Sequence, residues 1–296
     1  MVKTSLSIKT PSNFDFKRTA YSHGWYDLRP FELDETVWRL SRTFEIGAKT
    51  PVWTSVFYEK GKLKIEAEAD LDKKQQAELK RQIEHILRFD EDLDEFYELA
   101  QKDLAWVAAN GAGRLLRAPT VWEDLVKTIC TTNCSWALTK KMTNGLVEKL
   151  GDEAMNGRRG FPTPEKMAEM SSDFYREEIR AGYRAPYLQE LAEKVASGKI
   201  NVEGWLNSDL PTKDLKKEMK KVKGVGDYAA ENLLKLLGRY DGLALDSWLR
   251  AQFYKRHNND EICEDKQINR HYAHFGKWQG LAMWCDMTRD WLTNKN

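Results

Sequence analysis

Apolar and polar positions change period once along this chain, near residue 70. Before it the pattern is that of strands. "VWRLSRTFEI" (37–46) alternates in part, and "PVWTSVFYEKGKLKIEAEA" (51–69) holds two β-rich runs joined at "EKGK", a hairpin signal. A helix is predicted from about Leu71 to Phe89, with Leu79, Ile83, Ile86 and Leu87 on one face. From about residue 92 onward nearly everything reads as helix, broken by short polar stretches such as "GAGR", "GRRGFPTP" and "GRYDG". The fold class expected is α+β: an N-terminal domain over 1–100 with a small antiparallel sheet and a helix, then a larger all-helical domain over 101–296.

Within the helical part, "VKGVGDYAAENLL" (222–234) stands out. Leu215, Met219 and Val222 fall at i, i+4 and i+7, and Ala230, Leu233, Leu234 and Leu237 repeat a helical face, with Gly238 where a C-terminal cap belongs. Two helices therefore meet at the tight turn Lys223-Gly224-Val225-Gly226. Its glycines can take positive φ and let another backbone approach, while the second helix begins with unpaired amides and a positive dipole end. That combination suits a phosphate. It also fits an ordinary helix–turn–helix whose glycines merely close the turn.

Composition changes this picture little. A net charge of +1 over 296 residues is not the basic excess that nucleic-acid binding usually brings. Lys213, Lys216, Lys217, Lys220, Lys221 and Lys223 nevertheless crowd the first helix of the turn, a run that reads equally as a solvated face. No apolar run approaches the roughly 20 residues of a membrane span and no signal-peptide core opens the chain, so a cytoplasmic protein with no membrane partner is expected. Cys130, Cys134, Cys263 and Cys285 lack paired C-x-x-C spacing; free thiols and no bound metal are expected. Most of the 11 tryptophans belong to the core, with one or two, Trp284 among them, expected to line an aromatic slot.

The pattern "V-K-G-V-G-x-x-x-A", followed about twenty residues on by Asp246 in "GLALDSWLRAQF", resembles the helix-hairpin-helix DNA glycosylase superfamily. In that family the hairpin binds a DNA phosphate and the aspartate works at the glycosidic bond of a flipped nucleotide. Other segments follow in the family's order. "LLRAPTVWEDLVKTICTTNCSWALTKKM" (115–142) is similar to the helix, turn and helix of 8-oxoguanine glycosylases in which an asparagine fills the gap left by the extruded base; here that is Asn133. "AGYRAPYL" (181–188) resembles a segment whose Tyr and Arg, here Tyr183 and Arg184, contact the opposite strand. "INRHYAHFGKWQGLAMWCDMTRDWL" resembles the closing helix of the 3-methyladenine glycosylase II branch, and "AYSHGWYDLRPF" (20–31) the opening strand of the N-terminal domain.

The resemblance implies a helix-hairpin-helix glycosylase domain in base excision repair, a monomer acting on damaged duplex DNA in the nucleoid. It assigns Asp246 to catalysis, Lys223, Gly224, Val225 and Gly226 with Asn133, Tyr183 and Arg184 to DNA, and Tyr228 and Trp284 to the base pocket. It implies no required cofactor, and it is compatible with a structural monovalent cation at the hairpin. The iron–sulfur branch closes with four cysteines after the aspartate; only Cys263 and Cys285 stand there, so no cluster is expected.

Two departures refine the expectation. Members that also cleave the strand carry a lysine two residues after the second hairpin glycine, and this chain has Tyr228. A phenol cannot form a Schiff base, so a monofunctional enzyme excising an alkylated or oxidised purine by hydrolysis is expected. The arginine that reads the opposite cytosine in 8-oxoguanine glycosylases is replaced by Leu138, which implies weaker opposite-base selectivity. Asp227 is expected to cap the second helix. The alternative is a non-catalytic lesion-binding protein of the same fold, against which the retained Asp246 argues.

Overall fold

The computed structural model describes residues 2–47 and 50–291. Thr4–Ile8 (β1), Glu32–Asp34 (β2), Arg39–Ile46 (β3), Thr50–Glu59 (β4) and Lys62–Ala67 (β5) form one antiparallel sheet in the order β1-β5-β4-β3-β2. The "EKGK" turn is a two-residue loop, with Glu59 paired to Lys62 and Lys60 and Gly61 both at positive φ (49° and 78°). A mirror-image turn of this kind matches the twist of the flanking strands.

The helices are, in chain order, Phe16–Ala20 (α1), Lys73–Ile86 (α2), Asp94–Ala100 (α3), Trp106–Ala109 (α4), Val121–Thr131 (α5), Trp136–Leu150 (α6), Pro164–Ala168 (α7), Ser172–Glu177 (α8) and Ala185–Ala196 (α9). They continue with Thr212–Met219 (α10), Asp227–Leu236 (α11), Ser247–His257 (α12), Asp265–Tyr272 (α13) and Gln279–Thr288 (α14). The predicted helix after residue 70 is α2, opened by a reciprocal capping box between Asp72 and Gln75, with Leu79, Ile83 and Ile86 buried.

The chain forms two compact units, and they do not follow the division at residue 100 expected from the pattern. One unit comprises residues 1–90 and 115–207; the other comprises 91–114 and 208–296. The first unit reaches past residue 100 because buried ion pairs tie α5 to the sheet. Arg42 of β3 holds the Glu123 carboxylate with two hydrogen bonds (2.8 and 3.2 Å), and Lys127 joins the same carboxylate at 2.7 Å. All three are buried. Charges this deep are tolerable only when paired this fully. Asp124 beside them accepts hydrogen bonds from Trp25 Nε1 (2.6 Å) and Ala118 N (2.9 Å), and burial pushes its carboxyl up to about 7.

Segment 20–31 is not the opening strand; that strand is β1. After α1 the chain enters a 3-10 turn, Gly24–Asp27, that buries Trp25. Gly24 lies under the Trp136 indole so closely that a Cβ there would stand 2.6 Å from Cη2. The hydrogen bond to Asp124 and this close approach fix a turn where the sequence alone suggested a strand.

In the second unit α3 packs through Phe96 against Phe275 and Trp278, with ring centroids 6.5 and 5.6 Å apart. The remaining helices, α10 to α14, carry the glycine turn and Asp246.

Candidate active site

Helix α10 buries Leu215 and Met219, and the chain then turns through Val222 and Val225, both also buried. Gly224 has φ 89°, a conformation that a side chain resists. The Val225 amide closes the turn on the Val222 carbonyl at 3.1 Å, so Val225 plugs the turn from beneath and its N–H is already used. Gly226 is the N-cap of α11, with extended backbone (φ −88°) and no side chain to bond the first-turn amides. A Cβ built on Gly226 meets nothing within 4 Å. The outer face of the turn is therefore Lys223, Gly224 and Gly226, with an uncapped helix end behind them, which is what an anion requires.

Asp227 is not the cap expected from sequence; Gly226 takes that place. The Asp227 carboxylate instead accepts Lys220 at 3.0 Å through both oxygens and lies 3.0 Å from Lys216. These bonds, Lys220's first, hold its carboxyl below the usual range. Lys217 and Lys221 pair with Asp214 and Glu218 in the same way. Much of the lysine run is thus matched by acids of its own two helices.

Asp246 sits at the start of α12 as its N-cap, with Oδ1 accepting from Leu249 N at 2.7 Å. Its second oxygen, Oδ2, accepts from the Tyr228 hydroxyl at 3.2 Å. The loop that delivers Asp246 is held by one face of α11, from positions i, i+3 and i+7. Tyr228 reaches Asp246, Glu231 accepts the Ala244 amide at 2.7 Å, and Lys235 donates to the Leu243 carbonyl at 2.7 Å. Ala244 between them is fully buried at φ 52°, a left-handed conformation the three bonds sustain. Gly280 closes the other side: its amide bonds Tyr240 O at 2.8 Å, and a Cβ there would stand 2.1 Å from Gly242 O.

Lys235 was not singled out by the sequence. It is 3% exposed, and burial pushes its ammonium down to about 8 while the carboxylates of Glu231 and Asp246 pull it up. Nζ lies 5.6 Å from the centroid of the Trp284 ring, which in turn contacts Trp248 and Trp291. Asp246 and Trp284 therefore both neighbour one buried cation, and Tyr228 joins them through its bond to Asp246. The available signal was a lysine inside the apolar run "LLKLLG", seven residues after Tyr228.

Asn133, Tyr183 and Arg184 lie together in the other unit. Asn133 occupies the exposed turn between α5 and α6 with φ 45°, and its Nδ2 is 3.4 Å from the Tyr183 hydroxyl. Tyr183 is half exposed. Arg184 differs from the expectation of a surface contact to DNA. It is 3% exposed and donates from Nε to Ile129 O (3.2 Å) and from Nη2 to the Thr132 carbonyl. The carbonyls at the end of α5 need donors, and Arg184 supplies them from beneath the turn. It positions Asn133. Leu138 follows in the first turn of α6.

The chain is similar to several known proteins. The N-glycosylase/DNA lyase of Saccharomyces cerevisiae is 26% identical over 153 residues, 48% of this chain and 41% of the yeast protein, so the chain spans about two fifths of that relative's length. The DNA-3-methyladenine glycosylase of Bacillus subtilis is 25% identical over 221 residues, 69% of this chain and 72% of the bacterial one. The Clostridium acetobutylicum 8-oxoguanine glycosylase/lyase, solved in complex with double-stranded DNA containing cytosine opposite 8-oxoG, shares the fold with a TM-score of 0.74 at 20% identity, covering 99% of each chain. Residues 126–280, from within α5 through the glycine turn and Asp246 to the start of α14, match the HhH-GPD superfamily of base excision DNA repair proteins, and the chain belongs to that superfamily.

Proposed function

We propose that the protein is a monofunctional DNA glycosylase that hydrolyses the bond between deoxyribose and a damaged purine, alkylated or oxidised, extruded from duplex DNA. The observation that carries this reading is the 3.2 Å hydrogen bond from Tyr228 to Asp246: an acid is fixed beside the turn, and the side chain that reaches it from the first turn of α11 is a phenol rather than an amine, while the Lys235 ammonium is buried and held by the Leu243 carbonyl. The family, and the glycosylase names of the yeast and Bacillus relatives, support glycosylase chemistry; the yeast relative is named a lyase as well, so the monofunctional part of the reading rests on Tyr228.

The chemistry follows from the residues. Extruding the base costs a few kcal/mol, least at a damaged or mispaired site. Lys223, Gly224, Gly226 and the α11 amides hold a backbone phosphate, and Asn133 occupies vacated space in the stack. As the C1′–N9 bond breaks, its electron pair leaves with the purine and positive charge develops on the sugar. The Asp246 carboxylate, oriented by its cap bond, stabilises that charge and takes a proton from the water that attacks C1′. Tyr228 offers no nitrogen to replace the water. Tyr228 and Trp284 supply aromatic faces for the base.

The test is excision from duplexes that each carry one lesion (7-methylguanine, ethenoadenine, hypoxanthine, 8-oxoguanine or uracil), assayed with and without alkali and with borohydride. Strand breaks should appear only after alkali, with no trapped protein–DNA adduct. Tight lesion binding without excision of any base would make the protein a binder; a trapped adduct would make it a glycosylase/lyase.

A further inference from the structure

At the opposite end of α12 from Asp246, three potential ligands converge from three helices. His257 ends α12, His271 lies in the last turn of α13, and Asp286 belongs to α14. Each offers one donor atom, and these atoms all lie within 4.8 Å of one another. The imidazoles are neighbours with centroids 4.4 Å apart, and His257 Nε2 lies 2.6 Å from Asp286 Oδ2. We propose that His257, His271 and Asp286 form a binding site for a divalent transition-metal ion of the zinc class.

The donor set selects the metal. Two imidazole nitrogens and one carboxylate, with water in a fourth position, suit zinc, cobalt or nickel, whereas calcium and magnesium need more oxygens than the cluster provides. Asp286 is the anchored member, with its side chain 7% exposed and Oδ2 accepting the Tyr272 hydroxyl at 2.8 Å. Such an outer hydrogen bond orients a ligating carboxylate. The two histidines face solvent, which gives an ion its path in. Phe253 contacts both rings with centroids 5.3 Å away, tilted against His257 and edge-on to His271, and limits their rotation. Arg256 is the feature that opposes a cation, with Nη1 3.9 Å from Asp286 Oδ1. Its stronger partner is Asp290 at 2.7 Å, so its charge is already matched elsewhere.

The 11 residues of α12 separate this cluster from Asp246 by about 16 Å at 1.5 Å per residue. An ion there takes no part at the sugar. It would tie the C-terminus of α12 to α13 and α14, and so steady the helix whose first residue follows the catalytic carboxylate.

The experiment uses the full chain, stripped with EDTA and dialysed. Zinc alone is titrated by calorimetry, cobalt by visible absorption, and the melting temperature is recorded with and without zinc. One equivalent per chain, a four-coordinate cobalt spectrum and a zinc-dependent rise in melting temperature are expected. All three should vanish in His257→Ala and in His271→Ala, while the metal-free melting temperature of His271→Ala stays near that of the wild type. Asp246→Asn should bind zinc as the wild type does, which separates this site from the proposed reaction. No zinc binding by the wild type, or equal binding by the wild type and both histidine variants, would overturn the proposal.

Discussion

Lys235 Nζ lies 2.7 Å from the Leu243 carbonyl oxygen, inside the protein and three residues ahead of Asp246. An apolar side chain would fill this place at lower desolvation cost, so what the ammonium supplies is a bond that fixes the loop and a charge beside the carboxylate. Its pKa of about 8 lies below the ordinary 10.5. Between those values the unfolded chain holds the extra proton, and the stability owed to this residue rises as pH climbs from about 8 to 10.5.

Lys235→Met removes that titration. The difference in unfolding free energy, wild type minus variant, should therefore grow by about 3 kcal/mol between pH 7 and pH 10.5, read from urea melts at several pH values. The same variant should excise cationic 7-methylguanine better relative to neutral lesions, because a positive base on Trp284 no longer faces a second cation. An unchanged ratio would remove Lys235 from lesion choice.

Asp246→Asn and Asp246→Ala should separate structure from chemistry. Asparagine caps a helix as well as aspartate does, so the first variant should melt like the wild type yet lose excision by about a hundredfold or more. Alanine should lose excision equally and also about 1 kcal/mol of stability with the cap. Wild-type rates in Asp246→Asn would refute the catalytic assignment.

The two turn glycines should respond differently. Gly224→Val forces a β-branched side chain into φ 89° and should lower both the melting temperature and DNA affinity. Gly226→Ala meets open space on a backbone any residue adopts, so the fold should be unaffected. Its DNA affinity should still fall, because the methyl stands where a phosphate must approach. Unchanged affinity in Gly226→Ala, measured by fluorescence anisotropy, would show that the turn serves only to join two helices.

Asn133→Gly retains the left-handed turn and deletes only the wedge. Excision from duplex should drop by about tenfold, a fraction of the extrusion cost, while excision from single strands persists. Arg184→Ala should resemble it on DNA but also unfold more easily, since it strips a donor from buried carbonyls at about 1–3 kcal/mol. Equal losses of Asn133→Gly on both substrates would end the wedge assignment.

Local pattern carried what is local. The mirror-image turn at Lys60-Gly61, the face of α2 and the helix–turn–helix around Gly224 each follow from neighbouring residues, and each is present. Features set by distant partners were not legible. Arg184 reads as a surface arginine until the α5 carbonyls are placed above it, and Asp227 reads as a cap until Lys216 and Lys220 reach it. Segment 20–31 resembles the family's opening strand, but Asp124, about a hundred residues away, holds Trp25 in a turn. Lys235 was hidden for the same reason: its partner carbonyl at Leu243 belongs to a loop without periodicity.

The interleaving of the two units constrains the order in which a growing chain can complete them. Residues 91–114 leave the ribosome while the first unit is still being made, but the rest of their own unit begins only at Ser208. Phe96 must then wait, uncovered, for Phe275 and Trp278, which are made some 180 residues later. A nascent chain halted near residue 207 could finish the sheet and the helices that cover it while carrying an exposed apolar excursion, the kind of surface that draws chaperones or aggregates. The segment holding Asp246 is therefore synthesised only after every residue of the first unit, and no single cut in the chain yields both units whole.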